Sequence, residues 1–114
     1  MHIDRRVNTA ELQTDALSWI GHTGRHYRLL PESRTGFQLS ERAVHVLIAG
    51  SEALWCGSAA DIVADPQSRA RFRAAMTGEV AVYRIEPPPD EDRRAMVGWD
   101  IMRGHPAESL LRAS

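Results

Sequence analysis

Apolar side chains fill nearly every position of Val44-His45-Val46-Leu47-Ile48-Ala49, a β-branched run too short for a well-formed helix. Gly50-Ser51-Glu52 follows as a connection of hairpin length, and Ala53-Leu54-Trp55-Cys56 returns as a second strand. The polar break Asp65-Pro66 then marks a helix start: aspartate accepts free backbone N–H bonds, and proline is preset for the first helical position. From there Phe72, Ala75 and Met76 recur on one face, with Arg69 at its edge and Arg73 one turn on, until Gly78 stops the pattern. Val80 to Ile85 reads as a third strand, which Pro87-Pro88-Pro89 cannot prolong. Asp90-Glu91-Asp92 places acid where a helix dipole favours it, and Ala95, Met96, Trp99 and Met102 give the last helix an apolar face up to Gly104 and Pro106.

The amino-terminal part is less regular. Leu12, Ala16, Leu17 and Ile20 are spaced for one side of a short helix after a Thr9 cap. Gly21 and Gly24 break that pattern, and His26 to Leu30 reads as a strand. Phe37-Gln38-Leu39 is expected to return beside it across Ser33 to Gly36, making an added hairpin. The predicted whole is one α+β domain over residues 1–114. A small central antiparallel sheet (residues 44 to 49, 53 to 57 and 79 to 86) has flanking helices near 66 to 77 and 90 to 103. Residues 1–42 extend this core as a helix and a β-hairpin.

Composition adjusts this picture only in part. A chain of 114 residues, 43% hydrophobic and 25% charged, is long enough to bury its own core without a metal or disulfide. Its amino terminus shows no signal-peptide pattern, its single Cys56 cannot form an internal disulfide, and no apolar run is long enough to span a bilayer, so a cytoplasmic compartment is expected. The 14 basic residues are all arginine. Guanidinium forks suit phosphate, but the joint abundance of alanine is better explained by genome composition. A formal charge of −1 leaves room only for a local nucleic-acid contact. The best candidate is the helix carrying Arg69, Arg71 and Arg73, which holds no acid between Pro66 and Met76. Glu86 and Asp90 to Asp92 are the acids that would compete by pairing with it.

Other candidate chemistry reads as structural. His22 and His26 have helical ligand spacing, but Gly24 between them and the strand after them favour loop histidines over a metal site. His45, within a central strand, is read as a satisfied half-buried histidine before an acid–base group. Cys56, beside Trp55, is read as a small buried hydrophobe.

The order strand, strand, helix, strand, helix over about residues 43–107 resembles the GIY-YIG nuclease domain. Trp55-Cys56-Gly57-Ser58-Ala59-Ala60-Asp61-Ile62 looks like the family's second motif, a Tyr-x-Gly followed by a small or polar pair and Asp-Leu. Ile101 to Pro106 looks like its closing element, and Val44-His45-Val46 sits where its first motif would lie. The resemblance implies a site in which two tyrosines, an arginine and a glutamate surround a divalent metal. Here His45 and Trp55 stand at the tyrosine positions, and an indole N–H donates but accepts no proton. The glutamate position falls at Val97, which offers a hard cation no oxygen. Arg69 is the heir to the arginine.

The resemblance therefore implies a scaffold without its catalysis. It points to a non-enzymatic bacterial or phage-type module, without cofactor, catalytic residue or metal, that holds a protein or nucleic-acid partner around Arg69, Arg73, His45 and Trp55. Two alternatives stand beside it: a metal-dependent nuclease using Arg69 with Glu91 or Asp100, and a small assembly subunit that packs as a homo-oligomer.

Overall fold

The computed structural model describes residues 16–34 and 43–107. In chain order these form β1 (Leu17–Ile20), β2 (His26–Glu32), β3 (His45–Ala49), β4 (Glu52–Gly57), α1 (Ala59–Ala64), α2 (Pro66–Met76), β5 (Ala81–Ile85), a 3₁₀ turn (Glu91–Arg93), α3 (Arg94–Met102) and β6 (His105–Pro106). The strands make one six-stranded sheet in the order β4-β3-β5-β2-β1-β6, and every neighbouring pair is antiparallel. The fold is thus α+β, with β3 between β4 and β5, as the apolar run at 44 to 49 predicts.

Local chemistry accounts for the central elements. Ala49 pairs with Glu52 across a two-residue turn, and Gly50 at its first position has φ 64°, a conformation that side-chain-bearing residues resist. A bulge between Leu47 and Ile48 of the ladder leaves Leu54 and Trp55 packed toward the same face. Asp65 caps α2, its Oδ1 accepting the Gln67 N–H at 2.9 Å, with Pro66 in the first helical position. At the other end Arg34 donates to the carbonyls of Gly78 (2.6 Å) and Met76, satisfying helix-end acceptors with a cation where the dipole favours one.

The sheet carries apolar clusters on both faces. Val44, Val46, Ile48, Leu29, Ile85 and Trp19 pack beneath Val97 and Ile101 of α3. Leu47, Trp55 and Val82 pack beneath Ala75 of α2, with Phe72 and Ile62 closing over them. This is why β3 reads as an unbroken apolar run: both of its faces are covered.

Residues 17 to 20 are a strand rather than the end of a helix, because β1 is held between β2 and β6 and Trp19 is fully buried, its Nε1 donating to the Ile101 carbonyl at 2.9 Å. The described partners of β2 are β1 and β5; Phe37 to Leu39, its expected hairpin partner, lies outside the described residues. The earlier part of the expected helix, from the Thr9 cap to residue 15, lies outside them too.

Candidate functional site

His45 and Trp55, expected on a binding surface, are 1% and 2% exposed. They lie in the body of the domain, because β3 and β4 are covered by α1 and α2 on the face that carries Trp55. Trp55 Nε1 donates to Ser68 Oγ at 2.9 Å, and its ring meets Phe72 edge-on with centroids 4.9 Å apart. His45 Nδ1 lies 2.8 Å from Glu32 Oε1. Arg84 reaches the other oxygen of Glu32 at 3.4 Å and also Glu86 at 3.4 Å. Burial is the main influence on His45 and holds its pKa below the ordinary imidazole value, although the Glu32 carboxylate pulls upward.

The arginines of α2 serve different ends. Arg69 Nη1 donates to the Ile62 carbonyl at 2.7 Å and fastens α2 to α1. Arg71 and Arg73 are exposed. Among the described residues neither pairs with Glu86 or Asp90 to Asp92, and Glu86 is engaged by Arg84. Two residues apart on the helix, Arg71 and Arg73 point to different sides of α2, Arg71 toward α3; Trp55 packs beneath α2, and His45 sits against Glu32 of β2.

The positions that a GIY-YIG-type metal site would use do not fit a cation. Val97 is 3% exposed within the α3 core cluster. Asp100 is buried, and its oxygens accept from Thr23 N, Thr23 Oγ1 and Tyr27 Oη. Among the described residues no three His, Cys, Asp or Glu side chains gather as a possible metal site. The Cys56 thiol is pushed up to about 12, first by burial and then by the nearby Asp61 charge, so it carries little thiolate near neutrality.

A groove that sequence patterning does not reveal opens at the β4 edge, between the α1–α2 junction and α3. Its volume is about 670 Å³, within the range of ligand pockets. Cys56, Gly57 and Gly98 contribute to its lining. Gly57 is required here by close approach: a Cβ would lie 2.8 Å from both Asp61 Oδ2 and the Trp55 ring. One side presents Asp61, Asp65 and Arg71; the other presents Glu91, Arg94 and Arg103. Asp61 is fixed by accepting the Ser58 N–H at 2.8 Å, the reciprocal half of a capping box.

None of these six charges forms an ion pair with another among the described residues. Arg94 lines the groove, and its buried Nε has no hydrogen-bond partner among the described residues. Trp99 borders the same space, 43% exposed, with the Arg103 guanidinium 4.8 Å above its ring and His22 edge-on at 5.1 Å. The sequence signal for this half of the groove is the spacing of Trp99 and Arg103, four apart on one helix face. Nothing local shows that the facing wall comes from the residues around Asp65.

No helix among the described residues is long and apolar enough to cross a membrane. Comparison of the chain with protein-family models, with curated proteins and with solved structures finds no match.

Proposed function

We propose that the chain is a non-catalytic binding module on a GIY-YIG-like scaffold, holding a protein or nucleic-acid partner in the groove between α2 and α3. The scaffold half of the reading is supported by the chain order β3, β4, helix, β5, helix, in which a short α1 precedes the expected α2. The observation that carries the reading is the contrast between two places. Where such a scaffold would do chemistry, Trp55 and Val97 are core residues. A few residues away, six charged side chains line an open groove without pairing to one another. Asp61 and Asp65 also cap helices and Arg103 stacks on Trp99, but no opposite charge of the groove neutralises them, and surface charges so placed suit recognition, since a complementary partner gains both steering and specificity from them.

The earlier expectation centred on Arg69, Arg73, His45 and Trp55 shifts accordingly. Arg71, Arg94 and Arg103 become the contact residues, Arg73 a neighbour, and Arg69, His45 and Trp55 the supports. The nuclease alternative would need Glu91 or Asp100 to hold a metal, and Asp100 already spends both oxygens inside the fold.

The test is a pull-down from the native cell with wild-type protein and the double variant Arg71→Glu, Arg94→Glu, followed by identification of what is retained. A protein or nucleic acid held by the wild type and lost by the equally folded variant supports the module. Cleavage of plasmid or branched DNA by the purified wild type with Mg²⁺ or Mn²⁺, abolished by Arg69→Ala, would overturn it.

A further inference from the structure

We infer that the groove takes a polypeptide segment of a partner protein, one that sets an acidic side chain against Arg94 and an apolar side chain over Trp99. This rests on the binding-module reading and narrows its partner to one class. Three features of the groove argue for it.

The first is the balance of charge. Asp61, Asp65 and Glu91 face the same space as Arg71, Arg94 and Arg103, so the lining is close to neutral. A nucleic-acid strand brings charge of one sign at short, regular intervals and would set phosphates against those carboxylates. A polypeptide can present both signs in one segment, and like-charge contacts are what specificity is built against.

The second feature is Arg94. Arg94 lines the groove half-buried, and its Nε is buried with no partner among the described residues. An unsatisfied buried donor is costly, and the guanidinium edge matches a carboxylate in two parallel hydrogen bonds. Glu91, three residues earlier on the same wall, does not take that place. An incoming aspartate or glutamate would pair with the terminal nitrogens of the half-exposed Arg94, the buried Nε itself lying out of its reach.

The third is the apolar company. Trp99 and Met102 line the groove beside Arg103, and Met96, one turn before Trp99, is 49% exposed. Trp, Met and Arg are the residue types enriched where protein partners anchor. Arg103 already lies over one part of the Trp99 ring, which leaves an amphipathic platform of indole and guanidinium for an aliphatic or aromatic side chain.

The experiment is a display selection of short random peptides on the full chain, run in parallel on wild type, Arg94→Glu and Trp99→Ala, with near-UV circular dichroism from Trp19 and Trp55 as the folding control. Wild type should enrich peptides that pair Asp or Glu with an adjacent apolar residue. Arg94→Glu should weaken those peptides by about 30-fold or more and instead enrich Lys or Arg at the acidic position. Trp99→Ala should lose the apolar preference. Arg71→Glu, an exposed change on the facing wall, serves if Arg94→Glu does not fold, and should also weaken the acidic peptides. Enriched peptides indifferent to all of these variants, or no enrichment at all, would overturn the inference. A labelled single-stranded oligonucleotide is titrated at low salt beside them. Binding by the oligonucleotide alone, lost in Arg94→Glu, would leave the module reading standing and remove this one, whereas a groove that takes neither probe argues against both.

Discussion

Asp100 Oδ2 accepts a 2.6 Å hydrogen bond from the Tyr27 hydroxyl, joining the last helix to the second strand across 73 residues of sequence. The same carboxylate accepts from Thr23 N at 2.8 Å and Thr23 Oγ1 at 3.0 Å, so one buried side chain ties α3 to the β1–β2 turn. Asp100→Ala would leave three donors without their acceptor; the exposed Thr23 can turn its two to water, but the Tyr27 hydroxyl is buried and would stay unsatisfied. Loss of about 3 kcal/mol of unfolding free energy is expected at neutral pH, measured by urea denaturation.

The pH dependence of that contact has a defined sign. Burial, the largest influence on Asp100, raises its pKa, but the bonds from Tyr27 and Thr23 and the charge of Arg25 outweigh it and the net direction is down. A carboxylate depressed on folding contributes stability above its unfolded value of about 3.9, and loses that contribution as pH falls through the lower folded value. The acid limb of the stability curve should therefore be shallower in Asp100→Asn than in wild type. Identical acid limbs in the two proteins would show that the carboxylate is not held in its charged form. The same bond, after burial, helps push Tyr27 up to about 12.

His45 gives a pH effect nearer neutrality. Its burial against β2 and β5 favours the neutral ring, with Glu32 opposing this and Arg84 assisting. The folded pKa lies below the unfolded value of about 6.5, so on acidification the unfolded chain takes up this proton first and stability falls from there downward. Between about pH 7 and pH 5 the denaturation midpoint of wild type should drop more than that of His45→Gln, which keeps a donor toward Glu32 but does not titrate. A His45 ring signal that titrates by NMR at or above the ordinary imidazole value would contradict this.

The parts of the fold legible in the sequence are those decided locally. Asp65-Pro66 specifies a helix start through cap chemistry alone, and the β-branched run at 44 to 49 leaves little choice but a covered strand. Leu17 to Ile20 misleads because apolar spacing in four residues fits a helix as readily as a strand. What decides it is Trp19 and its neighbours pairing with Tyr27 on one side and with Pro106 on the other, partners far apart in the chain. The candidate site divides in the same way. That Trp55 and Val97 lack the groups a GIY-YIG-type metal site needs follows from side-chain type. That Arg71 and Arg94 face one groove with their charges unspent follows only from where α2 and α3 come to rest on β4.

Placing a glutamate at Val97 of the last helix tests the proposal that this scaffold holds no metal site. Val97 packs in the cluster that contains Val46, Ile85 and Ile101, and that cluster offers a carboxylate no donor comparable to the three around Asp100. An unpaired charge in such a place either destabilises the fold or takes up a proton to avoid ionising. Val97→Glu should cost about 3 kcal/mol or more at neutral pH, and less at acid pH, where the side chain enters as the neutral acid. Adding Trp55→Tyr should deepen the loss, because the Trp55 Nε1 bond to Ser68 and the edge contact with Phe72 are both removed or displaced. Thermal unfolding with and without Mg²⁺ or Mn²⁺ separates the outcomes. No metal-dependent recovery is expected, since a position on the face of α3 packed against the sheet gives a hydrated cation no approach. A rise in Tm specific to the divalent ion in the double variant would instead mean that the nuclease geometry is preserved beneath these two substitutions.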